Sequence, residues 1–228
     1  MGSVDRQETH KFKLLADEWW DENGSLKTLH DINSLRLSLI KKTIALKGMR
    51  GLDVGCGGGI LTESLADAGA LMVGIDAEET VIKAAMVHAK GKQSLAYHCC
   101  PIEDFNASPF DFIACMELLE HVNDPLLIIN HADRLLRPEG FLFLSTLNRN
   151  IWSYMGAIFM AEYVLKLLPQ QTHDYERLIK PSELAHMVRL AGLDVVSVMG
   201  LTYNPITRQT GLTKKPTINY LMICQKPF

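Results

Sequence analysis

The sequence predicts an α/β chain built on a doubly wound parallel sheet, and three observations carry that expectation. Between residue 52 and Thr146, short apolar runs alternate with amphipathic ones, the order of strand and helix that produces parallel pairing with right-handed crossovers. The first run, Leu52-Asp53-Val54, passes directly into Gly55-Cys56-Gly57-Gly58-Gly59 and then into an amphipathic stretch from Ile60 to Ala68. The run Phe110 to Met116 is nearly all apolar, as a parallel strand covered on both faces should be.

Taken in order, Val4 to Trp20 reads as a helix with Phe12, Leu15, Ala16 and Trp19 on one face, stopped by Asp21-Glu22-Asn23-Gly24. Trp19 and Trp20 cannot share a helical face: either one packs down while the other walls a pocket, or both bury a terminal helix. Leu29 to Arg36 leads into a second helix through Ile40 to about Leu46, so residues 1–46 form an N-terminal helical cap. Leu71 to Ile75 is a second strand closed by Asp76, Glu78 to Ala89 a helix, and Ser94 to Cys100 a third strand ending at Pro101. After the fourth strand come a helix from about Pro125 to Leu136, a Pro138-Glu139-Gly140 turn and a fifth strand, Phe141 to Thr146. Pro181 suits the first turn of a last helix that Gly192 ends, and Leu193–Val198 and Ile218–Gln225 complete seven strands.

Residues 151–180 interrupt this pattern. Ile151 to Leu168 carries Trp152, Tyr154, Phe159 and Tyr163 with only Glu162 and Lys166 charged, which reads as a lid over a site or as an interfacial helix offering aromatics to lipid. A transmembrane reading fails, because charges break the run and it interrupts a sheet.

At 228 residues the chain fits one domain, residues 1–228, with no linker, repeat or low-complexity tract. A formal charge of -3 and the lack of a basic stripe argue against nucleic acid as a partner. The five cysteines form no C-x-x-C pair and read as reduced thiols of a cytosolic protein, and the polar start is no signal peptide.

The glycine turn supplies a backbone that approaches a ligand closely and a helix N-terminus that favours anionic groups. Ile60 stands where a dinucleotide fingerprint has its third glycine, and no Lys-Ser/Thr pair makes a phosphate loop. The turn resembles instead the D-x-G-C-G-x-G loop of class I S-adenosylmethionine-dependent methyltransferases. Asp76, about 20 positions on, is then the carboxylate for the ribose hydroxyls, and the Ile102 loop flanks the adenine. Read without that likeness, the stretch is a tight turn in a βαβ unit with a helix-capping aspartate. Arg36 is the cation suited to clamp a carboxylate.

Glu117, Glu120 and His121 follow the fourth strand at i, i+3 and i+4, so one helical turn would point all three the same way, either around a hard cation such as Mg²⁺ or as a cap lining a pocket. Methylating a phenol, which titrates near 10, requires help in removing its proton. A bound cation, His121 or His173 would supply it.

Several stretches carry a more particular likeness: Ala16 to Asp21, Leu29 to Asn33 with Arg36, Leu52 to Ile60, Cys115 to Val122, Ser145 to Asn150, Thr172-His173-Asp174, Ile179-Lys180-Pro181 and Tyr203 to Thr207. Together they resemble the ubiquinone-biosynthesis O-methyltransferase family of the UbiG type over nearly the whole chain. The resemblance implies a seven-stranded Rossmann-like methyltransferase sheet with added N-terminal helices and a helical lid insertion after strand five. It implies that Arg36, Gly55, Gly57, Asp76, Ile102 and Met116 contact S-adenosylmethionine. It implies that Glu117, Glu120 and His121 hold Mg²⁺ and serve catalysis, beside the general-base candidate His173. The substrates implied are polyprenylated phenols and catechols, with peripheral contact to lipid at the inner face of the membrane and a place in a ubiquinone-pathway protein complex. Two departures stand out: Ser34 replaces a common proline, and the loop Arg208 to Thr217 is unlike the family's. The rival expectations are an O-methyltransferase for a small soluble catechol, and a non-catalytic module of the same fold.

Overall fold

The structure is a computed structural model that describes residues 2–150 and 175–228. One sheet organises it, with strands β1 (Arg50–Val54), β2 (Leu71–Asp76), β3 (Leu95–Cys99), β4 (Phe110–Met116), β5 (Leu136–Leu147), β6 (Asp194–Asn204), β7 (Gln209–Thr213) and β8 (Asn219–Gln225). Their order is β3-β2-β1-β4-β5-β8-β6-β7. The first five pair in parallel, and β8, β6 and β7 add antiparallel partners at one side. Strands β2 and β3 are added to one side of β1, and β4 and β5 to the other, so the carboxyl ends of β1 and β4 open the crevice where such folds bind ligands.

The first helix, α1 (Arg6–Leu14), lies against α4, and α2 (Lys27–Thr43), α3 (Ile60–Asp67), α4 (Glu79–His88), α5 (Pro125–Leu135) and α6 (Pro181–Leu190) cover the two faces. Alternation along β4 divides the core. Ile113 and Cys115 pack with α5 and α6 residues such as Ile129 and Leu184, while Phe112 and Ala114 pack with Ile40 of α2 and Leu65 of α3.

Three elements differ from expectation. The first helix ends at Leu14, and a 3-10 turn, Ala16–Glu18, carries its apolar face on to Trp19. The predicted Pro138-Glu139-Gly140 turn lies inside β5, where Glu139 at φ +62° and a register shift opposite Phe110 and Phe112 bend the strand as a bulge. The sheet has eight strands because β6 runs on to Asn204 and β7 folds back along it. Asn204 Oδ1 accepts from the Ile206 and Thr207 amides, and Arg208 takes φ +57°, which reverses the chain. The polar run Gln209-Thr210-Gly211-Leu212-Thr213 carries no strand signal of its own.

The apolar segment Ile151 to Leu168 and His173 lie outside the described residues. The chain re-enters at a 3-10 turn, Tyr175–Arg177, and buries Leu178 and Ile179. Among the described residues, no helix is long and apolar enough to cross a membrane.

Candidate active site

A cavity of about 340 Å³ lies at the carboxyl ends of β1, β2 and β4, within the size range of small-molecule sites. The glycine turn forms its floor. Gly57 takes φ +52°, and a Cβ there would run into the Trp19 ring, while its N–H donates to Asp76 Oδ2 at 3.0 Å. Gly59, at φ +90°, caps α3 and leaves room for the Tyr97 hydroxyl. Both tryptophans are thereby placed. Trp19 is buried and lines the cavity, whereas Trp20 donates from Nε1 to the Gly58 carbonyl and stacks on His88 at 3.4 Å.

The turn rests on a buried polar set. Asp53 is 3 % exposed, accepts from Thr62 Oγ1 at 2.6 Å, and is pushed by burial up to about 7. At the tip of β2, burial raises the Asp76 carboxyl while the Glu78 and Gly57 amides oppose the shift. Each Asp76 oxygen accepts one of those backbone bonds, which leaves acceptor capacity for hydroxyl donors in the cavity.

Arg36 descends from α2 on the opposite side, 5 % exposed. Its Nη2 meets Glu117 Oε1 at 3.0 Å, and its buried Nε has no hydrogen-bond partner. An orphaned guanidinium donor at a cavity wall is costly unless a ligand completes it. Gly55, Gly57, Asp76, Ile102 and Met116 line the same cavity, so all six residues expected to contact the cofactor come together. An unsatisfied cation, a Cβ-free cradle and a carboxylate spaced across one cavity fit S-adenosylmethionine.

The three expected metal ligands do not converge. Glu117 takes φ +55°, so the chain leaves β4 through a left-handed residue and turns as 3-10 only at Leu119–His121. The helical i, i+3, i+4 relation that would have aligned them is lost. Glu117 Oε1 accepts from Ser145 Oγ at 2.7 Å and Asn219 Nδ2 at 3.0 Å, Glu120 Oε2 accepts from Thr146 Oγ1 at 2.6 Å, and His121 Nδ1 meets Glu8 Oε2 at 2.7 Å. Among the described residues, no group of three or more His, Cys, Asp or Glu side chains is arranged to hold a metal ion. As arranged, this set does not fit Mg²⁺.

The electrostatics suit the observed partners. Burial raises the Glu117 carboxyl, but Arg36, Ser145 and Asn219 outweigh it and hold it below the usual range. Burial, with the Glu117 charge added, pushes Glu120 up to about 7. Burial disfavours charge on His121, yet Glu8, Glu120 and Glu117 together raise its pKa. Glu8 is drawn down to about 2, chiefly by its bond to His121. Sequence reasoning missed Glu8, Ser145 and Asn219. Glu8 looks like any exposed acidic residue of a polar helix, and its distance of 113 positions from His121 gives no local signal.

Solved structures of similar fold include magnesium protoporphyrin IX methyltransferase from Synechocystis with bound SAH, at TM-score 0.66 and 19% identity, covering 89% of this chain and 85% of that one. A methyltransferase from Thermotoga maritima, described as a possible histamine N-methyltransferase, aligns at TM-score 0.71 and 17% identity over 96% and 99% of the two chains. Residues 27–198 match the family described as "Methyltransferase domain", and fold and cavity together define an S-adenosylmethionine-dependent methyltransferase. Ubiquinone biosynthesis O-methyltransferase of Thiobacillus denitrificans is 46% identical over 99% of both chains, and that of Neisseria meningitidis serogroup C is 45% identical over 99% of this chain and 98% of its own. The chain belongs to the ubiquinone biosynthesis O-methyltransferase family, and is an S-adenosylmethionine-dependent O-methyltransferase.

Proposed function

We propose that the protein methylates ring hydroxyls of polyprenylated phenol and catechol intermediates, acting as a 2-polyprenyl-6-hydroxyphenol methylase and a 3-demethylubiquinol 3-O-methyltransferase. The observation that supports this best is the convergence of Arg36, the glycine cradle and Asp76 on one cavity, in a chain that matches such relatives from end to end. In this reading Arg36 takes the cofactor's carboxylate, Gly55 and Gly57 pack against its methionine portion, Asp76 takes the ribose hydroxyls, and Ile102 and Met116 flank the remainder. The cofactor supplies a methyl group on a sulfonium for in-line displacement by the ring oxygen.

The residues then have to align that oxygen and remove its proton. His121 lines the cavity with Glu8 on its Nδ1, and it is the residue we assign to take the phenol's proton, the Glu8 carboxylate stabilising the imidazolium that forms. Glu117 and Glu120 hold the wall around it through Arg36, Ser145 and Thr146. His173 keeps its proposed catalytic place from the sequence alone. No step is routed through Mg²⁺, because Glu117, Glu120 and His121 are each turned to another partner.

The test is transfer of a labelled methyl group to a short-tail demethylubiquinol, with a tail-less catechol as comparator, and with chelator or added Mg²⁺. Turnover of the tailed substrate is expected, and a preference for the free catechol overturns the substrate assignment. Loss of activity with chelator that Mg²⁺ alone restores would mean that the three side chains regroup around a cation during the reaction. Peripheral contact with lipid at the inner membrane face, through Ile151 to Leu168, and association with other enzymes of the pathway complete the proposal. Flotation with anionic liposomes and co-purification test these contacts.

A further inference from the structure

The N-terminal segment lies across the cavity and fastens to both rims. On the Ile102 side, the Ser3 amide donates to Glu103 Oε1 at 2.7 Å, and the Ser3 hydroxyl to Glu103 Oε2 at 2.7 Å. On the other side, Val4 pairs with Val122 as an antiparallel bridge, and Asn123 donates from its amide to the Ser3 carbonyl and from Nδ2 to the Val4 carbonyl. Asp5 then caps α1 and pairs with Arg177 at 2.8 Å, Glu8 meets His121, and Phe12 sets its ring edge-on to that imidazole at 5.1 Å. Val4, Asp5, Glu8, Thr9 and Phe12 line the cavity.

This wall differs from the others in how it is held. The glycine turn and the ends of β1, β2 and β4 grow out of the main core, whereas α1 contains no buried residue. A helix of nine residues is not stable alone in water, so its place depends on the polar fastenings at Ser3, Asp5 and Glu8, towards its N-terminal end, and on Phe12.

We infer that residues 3–14 form a strap that closes over bound cofactor and must unfasten for S-adenosylmethionine to enter and S-adenosylhomocysteine to leave. The inference rests on the cavity being the cofactor site. Unfastening breaks the Ser3–Glu103 and Asp5–Arg177 bonds together, because the two anchors stand two residues apart in one short segment.

Two variants of the full chain test this. Ser3→Ala with Asp5→Asn removes the hydroxyl anchor and the ion pair while keeping a side chain that caps α1. Its labelled S-adenosylhomocysteine should dissociate about tenfold faster than from the parent, with unchanged circular dichroism. Val4→Cys with Val122→Cys places two thiols across an antiparallel pair, close enough to bridge. Oxidised after loading, this variant should release the ligand at least tenfold more slowly, and dithiothreitol should restore release. Oxidised parent protein, with its five native cysteines, controls for other thiol chemistry. Release within twofold of the parent in both variants overturns the strap and leaves the cofactor site standing. Failure of the parent to bind S-adenosylhomocysteine overturns the cofactor site and the strap with it.

Discussion

Replacing Arg36 by Met separates what this side chain does for folding from what it does for binding. The guanidinium sits 3.0 Å from Glu117 Oε1 at 5 % exposure. At an effective dielectric near 20, that contact carries about 5 kcal/mol of attraction before desolvation is counted. Breaking such a pair from one side leaves a buried carboxylate without its cation, which costs about 3–5 kcal/mol. In a chain of 228 residues, a loss of about 3 kcal/mol lowers Tm by roughly 6–12 °C. The same change removes a charged donor from the cofactor's carboxylate, about 1.5–3 kcal/mol, or roughly a ten- to 150-fold weaker affinity for S-adenosylhomocysteine. Adding Glu117→Gln removes the stranded charge and keeps an oxygen for Ser145 and Asn219 to donate to. The double variant should therefore regain most of the lost Tm and none of the lost affinity. Thermal melts and titration calorimetry on both proteins read the two quantities independently. Affinity within threefold of the parent in Arg36→Met, or binding rescued by Glu117→Gln, would refute the assignment of Arg36 to the cofactor.

Gly57→Ala places a methyl group in the path of the Trp19 ring at a left-handed φ, so it should cost at least about 1–2 kcal/mol and abolish measurable cofactor binding by calorimetry. Asp76→Asn should weaken S-adenosylhomocysteine by roughly ten- to 100-fold while lowering stability by only about 1 kcal/mol, because an amide oxygen still accepts one backbone bond. Glu120 has a folded-state pKa raised to about 7 against 4.5 unfolded. It therefore costs nothing below about pH 4.5 and drains stability as pH rises to about 7, at most about 3 kcal/mol. Glu120→Gln should match the parent at pH 4 and exceed it at pH 8, as thermal melts across that range would show.

The sheet was legible because its signals are local and strong. Apolar runs bounded by Gly55 to Gly59 and by Pro101 fixed four parallel strands within a residue or two, and the spacing from Gly55 to Asp76 placed a carboxylate correctly at the next strand tip. Arg36 stood out only as a guanidinium able to clamp a carboxylate, and the sequence carries no signal that it is buried in the cavity wall. The turn after β4 was misread for a physical reason. A run that reads as one helical turn starts instead with Glu117 in a left-handed conformation, held by its own amide on the Ser145 carbonyl, and no residue preference announces that. Glu8 and Ser3 escaped notice because their partners lie 113 and 100 positions away. β7 escaped because pairing with β6, rather than its own composition, makes it a strand.

The hairpin of β6 and β7 grips the helix that carries Arg36. Arg208 spans Asp31, Asn23 and the Glu22 carbonyl, and Tyr203 donates its hydroxyl to the same Asp31. Asp31 stands little more than one helical turn before Arg36, so the far margin of the sheet sets the rotation and depth at which that guanidinium arrives. Substitutions at Tyr203 or Arg208, which line no part of the cavity, will accordingly register in ligand titrations as though they had struck the pocket itself.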